Sequence, residues 1–124
     1  GREIPRRAVV FPEHAELIVV MLGTNDLLQG ATAETAGERM ANFLATLGRE
    51  RVLLLAPPPM VPGEWTNEAM IRESQKLGRV YENLGIRFVD TAPWDIPMAY
   101  DGVHFTEVGH QIFAERLKEE VNHA

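Results

Sequence analysis

A chain of 124 residues and 13.9 kDa, 45% hydrophobic and 24% charged, fits one globular domain over residues 1–124 and excludes the disordered and fibrous classes. With a net charge of −6 and scattered Lys and Arg there is no basic stripe to track a phosphate backbone, so nucleic acid is not an expected partner. The sequence has no cysteine, which excludes disulfides and thiolate zinc sites, and its longest apolar run, LIVVMLG, falls far short of the roughly 20 residues of a membrane span.

The opening GREIPRRAVV carries neither an initiator Met nor an apolar signal core, and is expected to follow a processed or truncated natural start. Leu17 to Gly23 is continuous, β-branched and apolar, as a parallel strand covered on both faces should be. It runs into GTND, whose Gly, Asn and Asp favour a turn. From Thr32 the spacing of Met40, Phe43, Leu44 and Leu47 predicts a helix, with Gly48 as its C-cap. RVLLLAPPP, Arg51 to Pro59, reads as a second buried strand stopped by three prolines.

A loop through Trp65 leads to a helix capped by Thr66 or Asn67 and ended by Gly85, with Met70, Leu77, Val80, Tyr81 and Leu84 on its apolar face. Ile86 to Asp90 is a third strand. A long loop then reaches Thr106, the cap of a last helix with the inner stripe Val108, Ile112, Phe113, Leu117 and Val121. The alternation of strands and helix-length crossovers predicts an α/β domain built on a parallel sheet. In such sheets ligands bind beyond the carboxyl ends of the strands. GTND, PPPMVPGEW and DGVH all lie at or after those ends and are expected to converge.

His104 is a candidate general base, because imidazole titrates near working pH. Asp101, three residues earlier, can accept from the ring's Nδ1, fix its tautomer and leave Nε2 for a nucleophile. On spacing alone, the plainer reading is that Asp101-Gly102 is a turn and His104 merely precedes a helix, and Asn25 supplies the context that favours the catalytic one. The Asn25 amide is of the kind that donates to a developing oxyanion, while an Asx turn at Asn25-Asp26 is the plainer alternative. Asp101, His104 and Asp95 are a set that could hold a divalent metal, as in a metal-dependent phosphoesterase, a weaker alternative. His110 and His14 lie on a helix and in a loop without partners at metal spacing.

VVMLGTNDLL and YDGVHFTEVGH resemble blocks III and V of the SGNH or GDSL family of serine hydrolases, in that order, and VLLLAPPP is similar to the family's penultimate strand. The resemblance covers nearly the whole chain. It implies a flavodoxin-like three-layer α/β/α sandwich, here without its N-terminal strand or strands. It also implies hydrolysis of a small acyl ester, with His104 as base, Asp101 as its orienting acid and Asn25 in the oxyanion hole. Thr24, Met60, Trp65 and Val103 are the expected substrate-binding residues, Met60 and Trp65 as a wall of the acyl pocket, with packing between loop and helix as the alternative. No metal or other cofactor is needed.

Two departures from the family pattern stand out. The family's nucleophilic serine lies in an N-terminal GDS block, and the one serine of this sequence, Ser74, falls inside a predicted helix at an expected solvated position. GREIP resembles the segment just after block II, which makes Gly1 a candidate backbone donor to the oxyanion hole or else a leftover of expression. The expectation is a chain equivalent to the C-terminal two-thirds of a small SGNH hydrolase, inactive alone. In the family-like order 2-1-3-4-5 the strand from Leu17 lacks its neighbour, so its edge should be covered by the serine-bearing segment or a second copy. A non-catalytic module that binds a partner through that edge is the rival reading.

Overall fold

A computed structural model describes residues 17–123. Three parallel strands, β1 (Ile18–Val20), β2 (Val52–Leu55) and β3 (Phe88–Val89), form a sheet in the order β1-β2-β3. Ile18 pairs with Val52, and Leu54 with Phe88, so β2 is central and all four of its residues are buried. Among the described residues nothing pairs with the outer edge of β1. Each strand is shorter than the apolar run that predicts it, because only the residues that complete a ladder count as strand.

Alternation of side chains along the strands makes two cores. Ile18, Val20, Val52 and Leu54 face one side, where they pack with Leu27, Met40, Leu44, Met60, Leu77 and Tyr81. Leu53 and Leu55 face the other, with Trp94, Ile96 and the partly buried Phe105, Ile112, Phe113 and Leu117. The first core is roofed by three helices that pack on one another: α1 (Thr24–Leu28), α2 (Ala33–Leu44) and α3 (Glu68–Glu82). The second is covered by α4 (Glu107–Asn122) and a 3₁₀ turn at Ala92–Trp94. Helices on both faces of a parallel sheet give the expected three layers.

The caps are local, and most were legible. Thr32, Asn67 and Thr106 each accept a hydrogen bond from the backbone N–H three residues on, opening α2, α3 and α4. Glu73 of α3 accepts from Ala33 N at 2.8 Å, which ties α2 to α3 and holds the Glu73 carboxyl below its ordinary range. Three expectations are corrected. Gly48 does not cap α2, which ends at Leu44 with Ala45 following; Gly48 instead precedes a 3₁₀ turn at Arg49–Arg51. GTND is a left-handed glycine, Gly23 at φ 130°, followed by the short helix α1, not a free turn. Val108 and Val121 are exposed, because α4 rests on the sheet only through its middle turns.

The end of β1 is pinned from a distance. The Tyr81 hydroxyl donates to Leu22 O at 2.7 Å, and burial together with the nearby Asp26 carboxylate pushes its pKa up, keeping it a neutral donor. Gly23 has no Cβ to obstruct this bond, since one would stand 2.5 Å from the Tyr81 hydroxyl. Tyr81→Phe is therefore expected to leave a carbonyl unpaired beside the core and lower stability by about 1–3 kcal/mol, measured by urea denaturation.

Candidate active site

The candidate site is built on the loop between β3 and α4. Thr91 Oγ1 donates to Ala56 O at 2.7 Å, binding the start of this loop to the residue after β2. Further on, Met98 and Phe105 form an antiparallel bridge, Ala99 N donates to His104 O at 2.7 Å, and Thr106 N donates to Pro97 O at 3.1 Å. The chain thus leaves and returns along itself. At the tip, Gly102 N donates to Ala99 O at 2.9 Å, and Gly102 adopts φ 82°, a left-handed value that suits glycine.

This tip brings Asp101 and His104 together. Asp101 is only 4% exposed, and its two carboxylate oxygens have separate duties. Oδ1 accepts from Val103 N at 2.8 Å and His104 N at 2.9 Å, while Oδ2 lies 2.7 Å from His104 Nδ1. The His104 N–H is the largest cause holding the Asp101 pKa down, to about 2 against an ordinary 3.8. Burial opposes it, and the Val103 N–H and the imidazole add to it. An ionised carboxylate only accepts, so in the neutral imidazole the proton sits on Nδ1 and the Nε2 lone pair is free. The His104 side chain is 63% exposed and so accessible to a reacting group.

A folded-state pKa below the ordinary value means that Asp101 contributes stability above about pH 3.8 and loses it as pH falls from there through about 2. Thermal unfolding of the wild type should therefore drop between pH 5 and pH 2. Asp101→Asn should flatten that part of the profile, and an identical acid slope in the variant would contradict the assignment.

The other motif residues lie at the carboxyl ends of the neighbouring strands. Thr24 and Asn25 open α1, after the three residues that follow β1, with Asn25 exposed and Thr24 half-buried. Asp26 pairs with Arg39 of α2 at 2.6 Å, so the Asx-turn alternative is not what this stretch forms. Met60, after β2, is buried in the first core, and Val103 packs at the margin of that core. Trp65 is half exposed and meets the His104 ring edge to face, with centroids 5.2 Å apart. Asp95 lies in the left-handed C-cap of the 3₁₀ turn, and among the described residues no three His, Asp or Glu side chains converge as a metal would require. His110 packs on Phe105 at 5.2 Å, while Gly1 and His14 lie outside the described residues.

Ser74 departs from expectation. It is 5% exposed, not solvated: its hydroxyl accepts from Met60 N at 2.9 Å and donates to Ile71 O at 2.7 Å. That occupies its proton and fastens the residue after the prolines to α3. Sequence reasoning missed this role and those of Thr91 and Tyr81, since each bond joins a side chain to a backbone group far along the chain.

No helix among the described residues is long and apolar enough to cross a membrane. No curated protein sequence matches the chain. Among solved structures, the native aryl esterase of M. smegmatis superposes with a TM-score of 0.78 at 24% identity, over 98% of this chain and 66% of that one. Its inhibitor-bound form gives 0.81 at 23% identity with the same coverage. A carbohydrate acetylesterase from Sinorhizobium meliloti gives 0.79 at 20% identity, again over 98% of this chain and 66% of that one. These likenesses bear out the fold, and the chain spans just under two-thirds of the length of each structure. A family model for the GDSL-like lipases and acylhydrolases matches residues 2–112, and the chain, with its α/β layers and its paired Asp101 and His104, belongs to that family.

Proposed function

We propose that this chain carries the base and part of the oxyanion hole of a serine ester hydrolase acting on a small acyl ester, with the nucleophilic serine supplied by residues outside these 124. The observation that carries the reading is the 2.7 Å bond from His104 Nδ1 to a buried, ionised Asp101, with the rest of the imidazole exposed. Nε2 takes the serine proton as the hydroxyl attacks the acyl carbon, and returns it to the leaving alcohol when the tetrahedral adduct collapses. Water repeats the sequence to release the acid. Asn25 and the Gly1 N–H donate to the oxyanion, and Thr24, Trp65 and Val103 border the substrate, with Met60 behind them. Family membership and the ester-hydrolysing names of the structural neighbours support an ester substrate.

A seryl-reactive fluorophosphonate probe tests the reading. In a preparation that includes the serine-bearing segment, labelling is expected at a serine outside residues 1–124, while Ser74, whose hydroxyl is engaged on both sides, stays unlabelled. A folded preparation that takes up no probe would favour the non-catalytic alternative, in which the β1 edge binds a partner chain. Labelling at Ser74 would replace the proposed nucleophile.

A further inference from the structure

Asn67 caps α3, accepting from Met70 N at 2.8 Å, so the neighbouring Thr66 is released from that role. Its hydroxyl turns back onto its own loop, donating to Val61 O at 2.8 Å and accepting from Gly63 N at 3.0 Å. The loop so closed lies against the backbone that carries Asp101. Val61 N donates to Gly102 O at 3.0 Å, Glu64 N to Tyr100 O at 3.1 Å and Trp65 N to Asp101 O at 3.1 Å. The two chains are too close for side chains between them: a Cβ on Gly63 would stand 2.4 Å from the Asp101 carbonyl carbon, and one on Gly102 would stand 2.2 Å from Val61 O. The same rungs deliver the Trp65 ring to the His104 ring.

We propose that residues 61–66 form a clamp that holds the Asp101–His104 pair in register, with Thr66 as a positioning residue that fastens the clamp without touching either partner. This rests on the reading of His104 as the base. Three backbone rungs fix the peptides on both sides of Asp101, the direction of its carboxylate follows, and the carboxylate fixes the imidazole. A reacting group misplaced by about 1 Å loses on the order of a hundredfold in rate, so a slack clamp should appear in turnover more than in binding.

The test compares Thr66→Val, which keeps the shape and removes the hydroxyl, with Thr66→Ser, which keeps the hydroxyl. It uses the serine-bearing preparation with a short-chain aryl ester. Thr66→Val is expected to lower kcat by about tenfold to a hundredfold with KM nearly unchanged. Nitrogen-15 NMR of the His104 ring should show the Nδ1-protonated tautomer giving way to a mixture. Thr66→Ser should restore both. A folded Thr66→Val protein with wild-type kcat and tautomer overturns the clamp, as does a Thr66→Ser protein no better than the valine variant. Should Thr66→Val not fold, amide exchange in the wild type decides: protection at Val61, Glu64 and Trp65 comparable to that within α3 supports the clamp, and exchange at the rate of an open loop overturns it. The NMR and exchange readouts need no turnover, so an active His104→Ala protein would sink the catalytic reading separately.

Discussion

His104→Ala is expected to abolish ester hydrolysis, lowering kcat/KM on a short-chain aryl ester by roughly four to six orders of magnitude in a preparation that contains the nucleophile. The size of the effect follows from the unit in which the residue acts. Without the imidazole the serine keeps its proton, and the leaving alkoxide receives none, so both halves of the reaction slow together. Asp101→Asn should cost less, by up to about ten-thousandfold, because the ring remains but its Nδ1 proton no longer meets a charged acceptor. The Val103 and His104 N–H groups that now point at a carboxylate would meet an amide, so the tip itself should loosen as well. The measurement is a paired one, kinetics beside thermal unfolding. A folded His104→Ala protein with substantial activity would end the proposal.

Asn25→Ala is the second large effect, expected to lower kcat by roughly a hundredfold or more while KM changes little. An oxyanion donor bonds only weakly to the ground-state carbonyl and gains its full bond when that oxygen carries charge, so the loss falls on turnover. Asn25 is exposed on α1 and its substitution should not disturb the core. Asp26→Ala, one residue on, provides the contrast. It removes a partly exposed ion pair with Arg39, for which less than about 1 kcal/mol is expected, and should leave turnover near wild type. If Asn25→Ala instead raised KM alone, the residue would be holding substrate or shaping the helix, and the oxyanion role would be wrong.

The sequence by itself determined the features that depend on neighbours a few residues away. Buried apolar runs announced the three strands, because a strand covered on both faces needs no polar side. Asn67, one of two candidate caps beside Thr66, and Thr106 announced their helices, because a cap bonds within the next turn; Thr32 marked where the helical spacing begins, and its capping bond is seen only in the structure. The pairing of Asp101 with His104 was legible for the same reason: three residues apart at a turn, the two side chains can meet without help from the rest of the fold. Where a local signal lacked its context it misled, as with Gly48, which follows a helix that has already ended, and with Val108 and Val121, whose helix meets the sheet only in the middle.

The tertiary structure alone decided what supports that pair. Tyr81 reaches Leu22 across 59 residues, Thr91 reaches Ala56 across 35, and Ser74 reaches Met60 across 14. Each bond joins a side chain to a backbone group, and every residue offers the same backbone carbonyl or, proline apart, the same N–H, so nothing in the sequence marks which one will be the partner. The same holds for Gly63 and Gly102, two glycines that read as ordinary turn residues until the loops after β2 and β3 are seen pressed together. Short-range chemistry is written in the order of residues; the contacts between distant loops depend on a sheet order that places the ends of β2 and β3 side by side, and that order exists only once the chain has folded.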